Sequence, residues 1–538
     1  MSEILESPNI NLYGYQVPHY ENILNMLGVS AFALDLSPLG SGKTYTSAKV
    51  YTTGAFKHLI SIAPLSVLTK WNEISDIYGI PNITTISYCS LRSVKGKQPK
   101  CNLLRRTDTI QTIINTDEDG KETEHQIEKI NFEVTEKFIQ MVQEGVLIII
   151  DEIQNIKNYS AQFLACQELI RCVLEHYENS LTSTDNTHKY MGNSRILLLS
   201  GSPIDKRSQV IQLYKTLGIL TYDKLSYINP QNGQMMYKGV LQIESFFRKT
   251  YGTPVVDPIR SDYRTLQKTN CEEYCYQLFL KVFKKYLTST MSPPASPHTL
   301  TRRNGIFTLL KDPATEEDKK LLFQGVTLLE ESARYNPENN SISYGSDAVS
   351  TLTQIQIALQ MIERAKRPLF LRLGKEYLES NPNGKLVICC NFTESLDYLC
   401  EKFSSYKPLR LEGSVNLKNR GKIITLFQTP SNDHRVLIGN LQVCSTGIDL
   451  DDQQGSFPRL CLVSPNYSTI TLYQLSYRFL RANTKSDASI YFVFCKERQE
   501  LSVLNCISRK SNIMKEVTEE QVGMGMIFPG DYEKWEEA

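Results

Sequence analysis

The chain has 538 residues, 41% of them hydrophobic, which is enough for about three domains with buried cores. The formal net charge is +1, so any nucleic-acid binding must use a local patch or groove rather than a globally basic surface. No apolar run approaches the roughly 20 residues that span a bilayer, and the first residues lack a basic-then-apolar signal pattern. The thirteen cysteines form no C-x-x-C pair and no cysteine–histidine cluster at zinc spacing, which predicts reduced thiols in a cytoplasmic or nuclear protein.

The first motif is "SPLGSGKT", residues 37–44, a phosphate-loop pattern with a serine where G-x-x-x-x-G-K-[ST] has its first glycine. It follows "SAFALDL" and precedes "TYTSAKVY", so a strand, a glycine-bearing turn and a helix are predicted. Lys43 would then reach the β- and γ-phosphates of ATP, and the Thr44 hydroxyl would ligate Mg²⁺. Gly42 is expected where a side chain would collide with phosphate. The predicted nucleotide-binding residues of the loop are Gly40, Ser41, Gly42, Lys43 and Thr44. On this motif alone, a simple lysine-bearing turn remains the alternative.

A second motif, "GVLIIIDEIQNIKN", places two acidic residues directly after an apolar run at residues 146–150. Such a β-branched run is typical of a buried parallel strand. Asp151 would hold Mg²⁺, and Glu152 would polarise the water that attacks the γ-phosphate. Acidic pairs also occur on ordinary surfaces, so the prediction depends on the Lys43 loop lying in the same α/β domain.

Two further segments repeat the order strand, polar turn, helix. "HLISIAPLSVLTKWNEI" carries Trp71, and "RILLLSGSPIDK" ends its strand at residues 200–203. This repetition predicts a parallel sheet whose ligands lie at the carboxyl ends of the strands. Residues 200–203 alone would also suit an ordinary strand-to-helix turn.

In chain order, "SPLGSGKT", "IAPLSVLTKWNEI", "ISYCSL", "DEIQNIKN" and "LLLSGSPI" resemble motifs I, Ia, Ib, II and III of superfamily 2 helicase-type ATPases, specifically the Swi/Snf-type branch. The resemblance implies an α/β fold of two RecA-like parallel-sheet lobes that bind and hydrolyse ATP. Upstream, "LYGYQ" resembles the adenine-side motif, which implies that Gln16 reads the base edge. Motif II ends in Gln154 rather than the usual histidine; a glutamine would make the hydrogen bond to the other lobe.

The second half of the chain resembles the second lobe. "RVLIGNLQVCSTGIDL" resembles motif V, with Gly447 and with Asp449 where the branch usually has asparagine. In "LYQLSYRFLR", helical spacing would place Gln474, Arg478 and Arg481 on one face. The resemblance to motif VI implies that Arg481 is an arginine finger for the γ-phosphate and that Arg478 is its partner. Taken in isolation, the two arginines would suit a solvated basic face.

The resemblance also sets the expected domain organisation, with a mainly helical insertion between the lobes. The expected ranges are 1–225 for lobe 1 with an acidic, solvated insertion at about 95–144, 226–382 for the helical insertion, 383–515 for lobe 2 and 516–538 for a C-terminal tail. Within the helical insertion, three aromatic residues are predicted on one helical face and three lysines on another: Tyr276, Phe279 and Phe283, then Lys281, Lys284 and Lys285. Such a helix could track a phosphate backbone, or it could pack by its aromatic face and leave the lysine face solvated. Residues 289–297 are expected to form a mobile loop.

Three hypotheses for function follow. The branch implies a double-stranded-DNA translocase that moves without separating strands. A strand-separating helicase acting on DNA or an RNA–DNA hybrid is the second, and an ATP-gated binding subunit of a transcription assembly is the third. The compact chain also resembles members carried by large cytoplasmic DNA viruses, among them poxvirus nucleoside triphosphate phosphohydrolases. That resemblance implies transcription-machinery partners and a virion or cytoplasmic-factory location, with no membrane partner.

Overall fold

The structure is a computed structural model of the chain. It describes residues 10–94, 96–116, 122–182, 193–220, 226–228, 235–237, 268–294, 296–307, 315–336, 341–344, 348–481, 483–495, 498–518 and 533–536. The chain divides into two compact units. Unit 1 comprises residues 1–293 and 516–524, and unit 2 comprises residues 294–515 and 525–538.

Unit 1 is built on one parallel sheet. Its strands are β1 (Phe32–Asp35), β2 (His58–Ala63), β3 (Ile83–Ser87), β4 (Leu104–Arg106), β5 (Thr109–Thr116), β6 (Glu122–Lys129), β7 (Phe132–Val134), β8 (Val146–Asp151), β9 (Arg195–Leu199), β10 (Ser226–Ile228), β11 (Met235–Tyr237) and β12 (Thr288–Ser289). Its helices are α1 (Val17–Val29), α2 (Lys43–Thr53), α3 (Leu65–Tyr78), α4 (Tyr88–Arg92), α5 (Glu136–Glu144), α6 (Ala161–Thr182), α7 (Gln209–Thr216), α8 (Lys268–Leu278) and α9 (Lys284–Leu287). Six strands pair in parallel in the order β12-β1-β9-β8-β2-β3.

The strands that carry the predicted motifs are buried throughout. Every residue of β1 and β8 is buried, as expected for parallel strands covered by helices on both faces. Leu147 and Ile149, two residues apart on β8, pack into the same core as Trp71 of α3. Because β1, β9 and β8 are neighbours, the loops that follow these three strands lie side by side at the carboxyl edge of the sheet.

The predicted insertion at about 95–144 contains two small antiparallel sheets, β4 with β7 and β5 with β6. The centre of its acidic run, residues 117–121, lies outside the described residues. Helix α5, at the end of the segment, buries Phe138, Met141 and Val142. The expectation of a solvated excursion up to residue 144 is therefore wrong for this helix, whose apolar residues, spaced by three and four positions, form one face that packs against the unit.

The helix formed by α8, a π-helical turn (Phe279–Phe283) and α9 packs by its aromatic face, as one of the two alternatives predicted. The three aromatic side chains predicted to share this face are fully buried: Tyr276, Phe279 and Phe283. Lys284 does not lie on a solvated face, because its side chain is buried and its Nζ donates to the Glu516 carbonyl oxygen at 2.9 Å. The predicted mobile loop is wrong at its start, since Ser289 belongs to β12 and Met291 is buried.

Unit 2 is built on a second parallel sheet. Its strands are β13 (Leu300–Phe307), β14 (Ala333–Asn336), β15 (Ser341–Tyr344), β16 (Lys385–Cys390), β17 (Leu409–Leu411), β18 (Val436–Asn440), β19 (Arg459–Val463), β20 (Ala488–Cys495) and β21 (Glu533–Glu536). Its helices are α10 (Glu316–Ser332), α11 (Ala348–Ala365), α12 (Arg367–Ser380), α13 (Thr393–Lys402), α14 (Leu417–Gln428), α15 (Leu441–Cys444), α16 (Thr469–Ser476) and α17 (Arg498–Thr518). Seven strands pair in parallel in the order β17-β18-β16-β19-β20-β13-β21.

The sheet of unit 2 separates two hydrophobic cores. Val387 and Cys389 of β16 pack into one core, while Leu386 and Ile388 pack into the other, as the period of two along a strand requires. Two parallel α/β sheets confirm the predicted fold class. The strand β13 lies within the segment expected to be a separate helical insertion, and β12 joins the sheet of unit 1, so that segment contributes strands to both sheets.

None of the helices in the described part of the chain combines the length and hydropathy required of a transmembrane span.

Candidate active site

The phosphate-loop segment lies between β1 and α2, as predicted. Gly40 and Gly42 have φ angles of +80° and +94°, in the left-handed region that favours glycine. Helix α2 begins at Lys43, directly after Gly42. A Cβ at Gly42 would lie 2.2 Å from Gln16 Nε2, so the collision that requires glycine here is with Gln16 as well as with any phosphate. The turn therefore has the backbone geometry that presents N–H groups to an anion.

Lys43 is buried within this turn. Its Nζ donates to the Ser37 carbonyl oxygen at 2.9 Å and to the Pro38 carbonyl oxygen at 3.1 Å. The Lys43 ammonium group is thus held by two uncharged carbonyl oxygens of its own loop. Carbonyl acceptors are weaker partners for a cation than a charged phosphate oxygen, so this arrangement leaves Lys43 able to pair with an anion.

Gln16 and Tyr15, from the segment that resembles the adenine-side motif, both contact the loop. Gln16 Nε2 donates to the Ser41 carbonyl oxygen at 2.9 Å, and its Oε1 accepts from Tyr13 N at 2.9 Å. The Tyr15 hydroxyl donates to the same Ser41 oxygen at 3.1 Å. Gln16 therefore has a position next to the phosphate loop, and its base-reading role stays a prediction.

A buried polar network that sequence analysis missed lies beneath the loop. Asp35 Oδ1 accepts from Ser37 N at 2.8 Å, and Asp35 Oδ2 lies 3.0 Å from His19 Nε2. His19 Nδ1 lies 2.8 Å from Ser289 Oγ, and Ser37 Oγ accepts from Met291 N at 2.9 Å. The serine at the position usually held by glycine thus ties the loop to the segment after β12. A charged residue inside the apolar run "SAFALDL" was the available signal.

Electrostatics keep Asp35 ionised. Full burial pushes the pKa of Asp35 upward, but His19, Lys43 and the hydrogen bond from Ser37 outweigh burial, and its pKa lies below the ordinary value. The ionised Asp35 carboxylate therefore accepts hydrogen bonds from several donors and fixes Ser37, the first residue of the loop.

The acidic motif ends β8, as predicted. Asp151 is the last residue of the strand, and Glu152 follows with a φ of +59°, which is uncommon for a residue with a side chain. Gln154 Nε2 donates to Glu152 Oε2 at 2.5 Å, and Gln154 Oε1 accepts from Ser200 Oγ at 2.7 Å. Ser200 follows β9, so one glutamine side chain connects the predicted catalytic glutamate to the segment that resembles motif III.

Asp151 is a nearly buried carboxylate with an indole partner. Trp71 Nε1 donates to Asp151 Oδ2 at 3.1 Å. Burial and the neighbouring Glu152 raise the pKa of Asp151, whereas the Trp71 hydrogen bond and the charge of Lys43 lower it. The loops after β1 and β8 lie at the same carboxyl edge of the sheet, so the phosphate loop and the acidic motif share one site in unit 1.

The predicted residues of unit 2 form a separate cluster. Gly447 has a φ of +66°, and Arg481 Nε donates to Asp449 Oδ1 at 2.9 Å. Arg478 is buried, with its Nε donating to the Ser445 carbonyl oxygen at 2.9 Å. These contacts bring the segments that resemble motifs V and VI together.

The predicted helical face through "LYQLSYRFLR" is wrong, because helix α16 ends at Ser476. Beyond it the Arg478 carbonyl oxygen accepts from Leu450 N at 2.8 Å, so the chain leaves the helix to pair with the loop of motif V. Gln474 is buried within α16, and Arg481 lies beyond it. The two arginines are therefore positioned by loop contacts rather than by helical spacing.

Comparison with known proteins agrees with these observations. Residues 369–483 match the family Helicase conserved C-terminal domain. The "Putative ATP-dependent RNA helicase L364" of Acanthamoeba polyphaga mimivirus is 21% identical over 525 residues, which cover 97% of this chain and 84% of that protein. DNA repair and recombination protein RAD54 of Saccharomyces cerevisiae is 24% identical over 190 residues, 35% of this chain. That match spans only 20% of the yeast protein's length.

Among solved structures, the SWI2/SNF2 ATPase core of Sulfolobus solfataricus in complex with dsDNA is 16% identical, with a TM-score of 0.30 and coverage of 96% of both chains. The fold assignment above rests on the strand order of this chain itself. The parallel sheets, the motif order and the match to the Helicase conserved C-terminal domain indicate a helicase-type ATPase. The chain is similar to the mimivirus helicase and, over a shorter range, to the yeast RAD54 protein.

Proposed function

We propose that this protein is a Swi/Snf-like motor that couples ATP hydrolysis to movement along double-stranded DNA without separating the strands. The proposal is carried by a set of side chains assembled in unit 1. Lys43 is buried in a glycine turn, and Asp151 and Glu152 stand at the end of β8. Gln154 connects Glu152 to Ser200, which follows β9. Each group has a separate task in phosphoryl transfer, and a protein that only binds nucleotide would not need all of them.

ATP would be bound by the turn, with Lys43 moving from its two carbonyl acceptors to the phosphates and Gln16 beside the base. The oxygen donors of Thr44 and Asp151 suit Mg²⁺, which would neutralise phosphate charge when bound. In the described residues no three His, Cys, Asp or Glu side chains assemble into a metal cluster. That fits Mg²⁺ in nucleotide sites, where one or two protein oxygens act together with phosphate and water oxygens.

Hydrolysis would follow from the remaining side chains. Glu152 would orient and polarise the attacking water, and Gln154 fixes its carboxylate by the short hydrogen bond. We propose that Arg478 and Arg481 stabilise the negative charge that develops on the γ-phosphate. For Arg481 this requires exchange of its Asp449 partner for phosphate.

Double-stranded DNA is the proposed track. The RAD54 relatives are named as DNA repair and recombination proteins, and the Sulfolobus core was solved with dsDNA. We also propose a role in viral transcription or genome processing, in a virion or a cytoplasmic factory; the supporting observation is that one relative comes from a virus. Protein partners from a transcription assembly belong to the same proposal. The domain boundaries predicted from the sequence stay a prediction.

The test is steady-state ATP hydrolysis by the full chain, alone and with duplex DNA, single-stranded DNA or RNA. We expect stimulation by duplex that falls steeply with salt, because phosphate contacts release counterions. Lys43→Ala and Arg481→Ala should each lower turnover by about 10³-fold or more, as loss of a charge-stabilising group does in related phosphoryl transfer. Lys57→Ala is the matched control, since Lys57 is an exposed lysine of the same unit. Hydrolysis indifferent to every nucleic acid would contradict the proposal.

An RNA-directed activity is the second candidate, because the relative that matches 97% of the chain is named as an RNA helicase. In the same assay, stimulation by RNA or by single strands but not by duplex DNA would favour that candidate.

A further inference from the structure

We propose that Trp71 and Tyr88 are positioning residues for Asp151, which connect the Mg²⁺ carboxylate to helices α3 and α4. This inference rests on the proposed function, because it assigns Asp151 to Mg²⁺. Neither aromatic residue would touch nucleotide in this role. Each acts through a hydrogen bond to the end of β8.

The first connection is the indole of Trp71. Trp71 is fully buried in the core of unit 1, and the only N–H donor of its ring points to Asp151 Oδ2 at 3.1 Å. The indole N–H can only donate a hydrogen bond, so it holds the Asp151 carboxylate in the orientation that brings Oδ2 to the ring. The carboxylate also accepts a hydrogen bond from the Glu152 backbone, and because its two oxygens offer about four lone-pair sites, acceptor capacity remains for a metal ion.

The second connection fixes the main chain that follows the carboxylate. The Tyr88 hydroxyl donates to the Asp151 carbonyl oxygen at 2.8 Å and lies 3.4 Å from the Glu152 carbonyl oxygen. Tyr88 also holds the peptide where the chain enters the left-handed conformation at Glu152.

Both aromatic residues belong to helices that have solvent-facing sides. Leu65 and Ile77 of α3 are exposed, although Trp71 between them is buried, and in α4 Cys89 is exposed next to the buried Tyr88. Large planar side chains have few rotatable bonds, so a small shift of either helix moves the donor atom by a similar distance. A hydrogen bond weakens steeply over such a shift. Any ligand that moves α3 or α4 therefore changes how Asp151 is held.

The decisive measurement is binding of a fluorescent ATP analogue to the full chain, with Mg²⁺ and with excess EDTA. For Trp71→Phe and Tyr88→Phe we expect affinity in EDTA within about twofold of wild type, since neither residue contacts nucleotide. The gain in affinity on adding Mg²⁺ should fall by about 5- to 15-fold, as expected for loss of one hydrogen bond to an ionised or polarised group. Tyr51→Phe is the matched control, because its buried hydroxyl donates to the Lys57 and Pro81 carbonyl oxygens elsewhere in unit 1.

The outcomes separate this inference from the proposed function. Wild-type protein whose nucleotide binding does not respond to Mg²⁺ would contradict the proposed function itself. A normal response in wild type and in both variants would overturn only the roles of Trp71 and Tyr88. Equal losses with and without Mg²⁺ would also overturn them, because general damage to the fold affects both conditions.

A spectroscopic signal gives an independent test. The chain has two tryptophans, so Trp535→Phe leaves Trp71 as the sole indole. Its emission should shift when Mg²⁺ and nucleotide bind, and the added effect of Mg²⁺ should disappear with Asp151→Asn. An emission spectrum that stays constant while the analogue reports Mg²⁺-dependent binding would overturn the inference.

Discussion

Gly42 offers the sharpest test of the phosphate loop, because the structure gives two separable reasons why no side chain fits there. Its φ of +94° strains any L residue, and a Cβ would lie 2.2 Å from Gln16 Nε2. Gly79, at the end of α3, has a φ of +59° but no atom within 4 Å of an added Cβ. Gly42→Ala and Gly79→Ala therefore share the backbone strain, and only the first adds a collision.

The expected magnitudes follow from these two terms. The left-handed conformation costs an alanine about 1–2 kcal/mol at either position. At Gly42 the Gln16 amide must also move away and lose its bond to the Ser41 oxygen, which adds about 1 kcal/mol. The total of about 2–3 kcal/mol corresponds to about 30- to 140-fold in an equilibrium constant. We expect Gly42→Ala to lower the free energy of unfolding by about 2–3 kcal/mol and Gly79→Ala by about 1–2 kcal/mol, and only Gly42→Ala, which lies in the phosphate loop, to weaken nucleotide binding.

The assay is titration with a fluorescent ATP analogue, accompanied by thermal unfolding of each variant. Combining Gly42→Ala with Gln16→Ala should recover part of the lost stability in thermal unfolding, since the collision partner is then gone. Equal affinities for Gly42→Ala and Gly79→Ala, or no recovery in the double variant, would refute the reasoning.

Three further changes probe other parts of the structure. Asp35→Asn should destabilise the protein near neutral pH, which urea unfolding would measure. The folded-state pKa of Asp35 lies below the ordinary value of 3.8. The ionised carboxylate therefore stabilises the fold above pH 3.8, and this stabilisation is lost as the pH falls through the folded-state pKa. Gln154→Ala should lower ATP turnover about tenfold or more with little change in nucleotide affinity, because it frees Glu152 while the phosphate loop is untouched. Lys366→Met should cost unit 2 about 3–5 kcal/mol, because it leaves Glu500 buried without its cation.

Each of these has its own control. A stability difference between Asp35→Asn and wild type that stays constant down to pH 2 would contradict the ionised state of Asp35. Gln154→His, which restores the residue usual in the branch, should retain more activity than Gln154→Ala. For Lys366, the exposed Lys402 pairs with Glu401 at the surface, so Lys402→Met should change stability by less than about 1 kcal/mol.

Much of the catalytic set could be predicted from the sequence because its chemistry is local. The glycine turn before Lys43 and the acidic pair after β8 each follow an apolar run at fixed spacing, and the fold places both as expected. The parallel sheets were also predictable, since short apolar strands alternate with helices throughout. Such signals depend on neighbours in the chain.

The parts that could not be predicted depend on contacts between distant segments. Nothing near Ser37 in the sequence indicates that its hydroxyl accepts from Met291, 254 positions later. The end of α16 before Arg478 has the same origin, because the carbonyl oxygen of that residue pairs with Leu450 in another loop. Lys284 was placed on a solvated face by helical spacing alone, whereas the segment around Glu516 covers it.

The central claim is movement along duplex DNA driven by ATP, and a triplex-displacement assay tests it most directly. A labelled third strand is annealed to a long duplex, and its release is followed with ATP, with a non-hydrolysable analogue and with the Lys43→Ala variant. We expect the wild-type protein to release the third strand with ATP, and we expect no release with the analogue or with Lys43→Ala. The two strands of the duplex should remain paired throughout. Separation of the duplex strands, or no release under conditions in which duplex stimulates hydrolysis, would contradict a translocase.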